Sequence, residues 1–469
     1  MTNLSGANLN NGAAVSPQGE GRESPSRFPA YPAYKDSGVE WLGEVPEHWE
    51  VTKLSYVTSR IGSGKTPSGG AATYASSGVP FIRSQNVHDQ GLRLDDIVYI
   101  DEETDREMAW SRVRPLDVLI NITGASIGRS CQVPAEFGRA NVNQHVCVIR
   151  LDKAVEASDW VAWFMKSPSS KEQVKVSQTG AAREGLNFEQ LAGFYLCMSP
   201  LNERKVITAF LGHETARINA LIAEQQRLIE MLKEKCQALI SQAVTKGLDP
   251  TVPMKDSGVE WLGEVPAHWD VKKVGHACEI HNNLRTPIDR ENRAVRSGVY
   301  PYYGPTGVLD YIDDFYVEGE YFLIGEDGDH FLKFEEKPMT FLVEGKFCVN
   351  NHAHLVRGKD DCATSWAALC FEARDLFPWL IRQGVGRYKL RKEALVGIFI
   401  TVPPKSEQLR IVDEINSQKA VINRVISESE QSINLLEERR SALISAAVTG
   451  KIDVRGWQPR SAPKPPNQP

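Results

Sequence analysis

The segment Lys35-Asp36-Ser37-Gly38-Val39-Glu40-Trp41-Leu42-Gly43-Glu44-Val45-Pro46 recurs letter for letter from Lys255 to Pro266, and His48-Trp49 recurs as His268-Trp269, an offset of 220 residues. Further on, ALISQAVTKGLD from Ala238 returns as ALISAAVTGKID from Ala442, an offset of 204. The second copy is therefore 16 residues shorter, and the deficit falls between the two anchors. Weaker echoes fill the interval: Leu119-Ile120 with Gly124 against Leu323-Ile324 with Gly328, Asn143-Gln144-His145 against Asn350-Asn351-His352, and Leu186, Leu191 and Pro200 against Leu390, Leu395 and Pro404. A period this long is a domain duplication rather than a solenoid of short repeats. The ends of the halves are nearly copied and the middles have diverged.

Each copy changes character partway. Between Pro46 and Pro200, short apolar runs such as VPFIRS, DVLINI and HVCVIR are broken by Gly and Pro, with helical stretches such as DWVAWFMKS between them, which predicts an α/β globule. From Asn202 to Thr245 there is no proline and only Gly212, while Ile207, Leu211, Ile218, Leu221, Ile222, Leu228, Ile229, Leu232, Leu239 and Ile240 fall at helical spacing. Asn202 is expected to cap this helix and Gly247 to end it; the second copy runs from Ser406 to Gly450. A helix of roughly 40 residues extends about 60 Å, and its apolar stripe needs a partner. The fold class expected is α+β: two α/β-type globules separated by two long helices packed as an antiparallel coiled coil, with a pseudo-twofold internal repeat. Gln225, Ser429 and Ser432 interrupt the seam, where they fix register or face a third helix from another protein.

The length of 469 residues admits several domains, and no run approaches eighteen uninterrupted apolar residues. The eight cysteines, Cys131, Cys147, Cys197, Cys236, Cys278, Cys348, Cys362 and Cys370, form no CxxC pair, which argues against a zinc ribbon or redox motif and suits a reducing cytoplasm. The net charge of -6 counts mildly against nucleic-acid binding, although a local basic face matters more than the sum.

The opening motif GVEWLGEVPEHW, the segment YPYYGPTGV, and the helix start Pro404-Lys405-Ser406-Glu407-Gln408, met in order in a duplicated chain, resemble the specificity subunits of type I restriction–modification systems. The likeness covers roughly Tyr34 to Val454; the first half departs with Pro200-Leu201-Asn202-Glu203-Arg204 in place of PxxEQ. The resemblance implies two target recognition domains, 34–200 and 249–404, each reading half of a split site on double-stranded DNA. Spacer helices occupy 201–248 and 405–453, and 1–33 and 454–469 are expected to be disordered tails. It further implies assembly with two modification (methyltransferase) subunits and with restriction subunits. S-adenosylmethionine would sit on the former, ATP and Mg on the latter, and no cofactor on this chain. A 60 Å rod beside DNA spans roughly 18 base pairs, a scale that fits two half-sites and a spacer.

Candidate contacts follow from chemistry. Gly62-Ser63-Gly64-Lys65-Thr66 invites a phosphate-loop reading, but Ser59 stands where that motif requires glycine; Lys65 and Thr66, with counterparts Arg285 and Thr286, are read instead as touching DNA. Arg83, Ser84, Gln85 and Asn86 follow an apolar run, where bidentate base readers are well placed, and Tyr303 stands at the equivalent point of the second copy. Gly180–Arg183 and Gly384–Lys389 form matching basic loops that offer Arg183, Arg387, Tyr388 and Lys389. Trp41, Trp49, Trp261 and Trp269 are read as packing anchors, with a docking face for modification subunits as the sharper alternative. Cys348, His352 and His354 lie close enough to suggest a metal, but no fourth ligand is evident, and none is expected. No catalytic constellation is found, so the chain is expected not to be an enzyme; the rival reading is a coiled-coil scaffold without sequence-specific DNA binding.

Overall fold

The strongest periodicities of the sequence become two continuous helices, Leu201–Lys246 and Lys405–Val448, of 46 and 44 residues. The computed structural model describes residues 28–67, 69–178, 185–328, 330–333, 339–372, 374–384 and 387–458. Contacts divide the chain into two units, Met1–Leu221 with Asn434–Pro469, and Ile222–Ile433. The division cuts across the linear segmentation, because each unit takes half of both long helices along with one globule.

In the first unit, strands Ser130–Gln132, Val118–Asn121, Val146–Leu151 and Thr58–Ser63 form an antiparallel sheet in that order. A second sheet runs Val98–Ile100, Val79–Ile82, Ala140–Val142, Arg112–Val113, its central pair parallel. The second unit repeats both sheets, with Thr340–Val343, Tyr321–Gly325, Ala353–Gly358 and Cys278–Ile280 in the first, and Gly307–Ile312, Ser297–Gly304, Lys346–Val349 and Val317–Glu318 in the second. The sheet order thus follows the duplication even where the side chains do not.

Within each unit the two helix halves run antiparallel. In the first, Ile207, Phe210 and Leu211 share a core with Ile444, Ala447 and Val448, while farther along Arg440 donates to Asn219 at 2.5 Å. In the second, Ile240, Ala243 and Val244 pack with Ile411, Val412 and Ile415. Ser429 is buried at the seam, and Leu221, expected in the stripe, is 40% exposed. Both helices start one residue before the expected caps: Pro200 and Pro404 offer their carbonyls to Arg204 and Glu407 at 2.9 and 2.8 Å, because a proline preceding the first turn already has the φ it needs. Gly247 and Gly450 end them at φ +76 and +72, a left-handed conformation that costs glycine least.

Residues 28–33 and 454–458, which the sequence reading assigned to the tails, are packed against the fold. Phe28 and Trp457 pack edge-on to Phe210 at 5.2 and 5.6 Å, Asp453 N donates to Pro29 O at 2.7 Å, and Tyr31 and Val454 are buried. A few aromatic rings bury enough area to offset the ordering of short polar segments. No helix among the described residues is long and apolar enough to cross a membrane.

Candidate nucleic-acid interface

One backbone frame recurs at the same end of both globules. In the first unit, Gly64 N donates to Asn143 O (3.2 Å), Ile122 N to His145 O (3.0 Å) and Leu186 N to Ile122 O (2.8 Å), and Thr123 bridges Gly185. In the second, Thr286 N donates to Val349 O (2.9 Å), Glu326 N to His352 O (2.7 Å) and Leu390 N to Glu326 O (2.7 Å), and Asp327 pairs with Lys389. Asn143 and Asn350 each turn the chain by accepting from the backbone N of His145 or His352 at 3.0 and 2.9 Å. The frame gathers loops that are far apart in sequence, and the two copies dress it differently.

In the first unit, Lys65 is exposed and Thr66 half-buried on the loop leaving strand Thr58–Ser63. Gly64 fits there only without a side chain, since a Cβ would lie 1.7 Å from Val142 O. The Arg83 guanidinium lies over the Tyr74 ring at 5.7 Å and donates to Asp96 O at 2.8 Å; Gln85 reaches the Asp96 carboxylate. Asn86 is buried, and its amide is spent on Arg83 N, Arg93 O and Asp96 Oδ1 at 2.9, 3.0 and 2.8 Å. The expectation that Asn86 reads a base is corrected: it braces the loop, because a buried amide is held by the partners it has. Ser84, half-buried, accepts at its carbonyl from Asn121 Nδ2 at 2.8 Å. The frame also brings up His145, whose Nδ1 meets Thr123 Oγ1 at 2.6 Å, beside the exposed Gln144. These two were visible as an echo of the repeat but not singled out. Gly180–Arg183 lies outside the described residues.

In the second unit, Arg285 and Lys389, 104 positions apart in the chain, meet on Glu326 at 2.5 and 2.9 Å. Burial works to raise the Glu326 carboxyl, but the hydrogen bonds from Arg285 and Lys389 outweigh it and hold it below the usual carboxylate range. Arg285 also donates to the carbonyls of Asn282 and Asn351, both at 3.1 Å. His354 is buried, with Asn282 Nδ2 at 2.9 Å on Nδ1 and Leu390 O at 2.8 Å on Nε2. Burial pushes its pKa down, so the ring is neutral, Nε2 donating and Nδ1 accepting. His352 faces Asp327 at 2.9 Å, and Cys348 donates to Asp314 O at 3.4 Å; the three suspected metal ligands thus have separate partners. Thr286 is half-buried and its carbonyl accepts from the Tyr302 hydroxyl at 3.1 Å. Tyr303 is half-buried, with the Phe341 and Phe347 rings at 6.1 and 5.7 Å. Tyr388 leans on Phe377 at 5.5 Å, and Arg387 opens the same short strand. Glu326 and Asn282 were missed, since nothing local in the sequence marks a carboxylate shared across the fold.

The tryptophans divide. Trp49 and Trp269 are fully buried against Trp160 and Trp366 at 5.5 and 5.7 Å, so burial withdraws both from any docking face. Trp41 is half-buried against the core, and Trp261 is 43% exposed with the Arg374 guanidinium 4.2 Å over its ring. Each globule is fastened to its long helix by a glutamate in the first turn. Trp49 Nε1 donates to Glu203 Oε1 at 2.8 Å, His48 lies 2.9 Å from Oε2, and Tyr31 OH donates at 2.5 Å; burial and this bond raise the Tyr31 hydroxyl above its ordinary pKa. In the second unit His268 meets Glu407 at 2.8 Å, but Trp269 Nε1 has no hydrogen-bond partner among the described residues. At the helix starts Gln408 donates to Asp361 O and Pro403 O, and Arg204, at the position that departs from PxxEQ, to Val155 O and Ser199 O, so each ties the first turn to nearby backbone carbonyls by different chemistry.

Residues 266–437 match the family model described as type I restriction modification DNA specificity domain. The chain is 34% identical over 168 residues, 36% of its length, to the Haemophilus influenzae chain S.HindORF215P, assigned by inference as a type I restriction enzyme specificity subunit. It is 23% identical over 249 residues, 52% of its length, to the type I restriction enzyme EcoKI specificity subunit of Escherichia coli K12. These matches span 39% and 51% of those relatives, about half or less of their length. A chain solved in work on complex assembly and conformational transition of the type I R-M system shares the fold, with TM-score 0.62 and 13% identity over 86% of this chain and 98% of that one. Residues 266–437 therefore match the DNA specificity domain, and parts of the chain are similar to the specificity subunits of type I restriction–modification systems.

Proposed function

We propose that this chain is the non-catalytic DNA-reading subunit of a type I restriction–modification complex, each unit reading one half of a split target. One observation carries the reading: the same loop frame recurs in both units with different side chains on it, Lys65, Thr66, Arg83 and Gln85 in one, Arg285, Glu326 and Lys389 in the other. A conserved frame with variable contacts is what two readers of different sequences require, since phosphate contacts position a protein and base contacts specify. In this reading the chain works in the cytoplasm with two modification subunits, which bring S-adenosylmethionine, and with restriction subunits, which bring ATP and Mg. The contacts of Arg285 and Lys389 with Glu326 would open or re-aim on DNA.

The test uses the full chain assembled with its modification subunits. It should retain a split-site duplex against an equal-length scrambled competitor, and equal retention of both would favour a scaffold without sequence reading. Exchanging residues 60–190 for those of another specificity subunit should change one half of the methylated site and leave the other half intact.

A further inference from the structure

The first unit holds a second basic feature away from the loop frame. A cavity of about 460 Å³ lies where the edges of its two sheets, Thr58–Ser63 and Arg112–Val113, face one another, and it is lined by Arg60, Arg112, Arg114, Arg139, Arg150 and Trp110. Three of the five arginines are paired. Arg112 holds Asp105 with two bonds (2.9 and 2.6 Å), Arg150 holds Asp117 likewise (2.9 and 2.7 Å), and Arg139 meets Glu102. Arg60 and Arg114 have no carboxylate in salt-bridge contact among the described residues. Arg60 bonds only the carbonyl of Trp110 and lies over its ring at 5.8 Å, while Arg114 is exposed. Burial chiefly, and then the neighbouring Arg150 charge, lower the Arg60 pKa, with Asp117 opposing them. Trp110 is 50% exposed at the rim.

The second unit shows that the fold does not require this. Arg60 pairs with Arg150 across the first sheet, and the matching strand pair places Glu279 opposite Arg357. Val113 opposes Ala140 as Val317 opposes Phe347, so Tyr316 and Glu318 stand where Arg112 and Arg114 stand in the first unit. Glutamates stand at the positions equivalent to Arg60 and Arg114, so the sheet arrangement does not depend on positive charge there.

We propose that this arginine cavity grips a phosphodiester of the DNA backbone beside the half-site read by the first unit, with Trp110 packing on the adjoining sugar. The inference rests on the reading under Proposed function. Arg60 and Lys65 are five residues apart on one strand and its exit loop, at most about 17 Å in extended chain. That is the reach from a groove about 12 Å wide to the backbone bordering it. A guanidinium pair also suits phosphate oxygens, which accept bidentate bonds.

The experiment measures affinity of the full chain, assembled with its modification subunits, for a split-site duplex and a scrambled duplex across a salt series. Arg60→Gln and Arg114→Gln should each reduce the slope of log K against log[salt] by about 0.9 and weaken both duplexes roughly tenfold at 0.1 M salt. The preference for the split site should be unchanged in both variants, and Glu318→Gln should leave the slope as it was. An unaltered slope in the folded variants overturns the proposal. So does weakened assembly with the modification subunits at unaltered slope, which would make an acidic protein surface the ligand. If Arg60→Gln fails to fold, the exposed Arg114→Gln decides alone. The discrimination of the unmodified chain tests the parent reading separately: its loss would sink that reading, whereas the slopes judge only the cavity.

Discussion

Glu203 and Glu407 occupy equivalent places in the two halves, yet their removal should have unequal consequences. Glu203 is 7% exposed and takes hydrogen bonds from Tyr31, Trp49 and His48. Truncation to alanine leaves the indole N–H of fully buried Trp49 and the hydroxyl of Tyr31 without an acceptor, at about 1–3 kcal/mol each, while His48 turns to water. The sum is about 2–6 kcal/mol. Among the described residues, Glu407 accepts only from half-exposed His268 and Trp269 Nε1 has no partner, so Glu407→Ala should cost about 1 kcal/mol or less. Both glutamates lie in the first turn of a helix, so the macrodipole contribution is shared and cancels. Hydrogen exchange reports local opening region by region, so the assay is exchange followed by mass spectrometry on peptides covering 201–215 and 405–420 in the intact chain. Glu203→Ala should speed exchange in the first peptide on the order of a hundredfold, with Glu407→Ala speeding the second less than tenfold. Equal acceleration by the two substitutions would refute the reasoning that the tryptophan and tyrosine bonds carry the difference.

Two further expectations concern protonation. The depressed pKa of His354 means that the folded second unit disfavours its charged form. This contribution to stability is therefore complete above the unfolded value near 6.5 and is lost as pH falls through the lower folded value; denaturant melts between pH 7.5 and 5 should show the loss, and His354→Gln should flatten it. Burial pushes the Cys131, Cys147, Cys197 and Cys370 thiols up to about 12, and only Cys236 is not buried. An alkylating reagent should label Cys236 first in the native chain and the others only on unfolding; rapid labelling of Cys147 would contradict the packing described.

How much of this was legible depended on distance along the chain. The long helices were plain because each apolar residue recurs within three or four positions, and a proline-free run that long has few alternatives. The loop carrying Lys65 was placed by its glycines, and the loop at Arg83 by the apolar strand before it. Asn86, by contrast, has the side chain of a base reader, and only the position of Asp96 and Arg93 shows that its amide is used up. Trp49 and Trp269 could pack or dock as far as their sequence context tells; burial against Trp160 and Trp366 decides for packing.

The sequence by itself determined the duplication, the alternation of mixed globule and long helix, and the family likeness, because these are written in repeats and periodicities that survive without knowledge of contacts. Tertiary structure alone decided which charges are paired: Arg285 with Lys389 on Glu326, Arg150 on Asp117, and Arg60 and Arg114 with no carboxylate in salt-bridge contact among the described residues. The physical reason is that a charge acts according to what lies within a few ångströms of it, and in this fold those neighbours come from segments tens to hundreds of residues away.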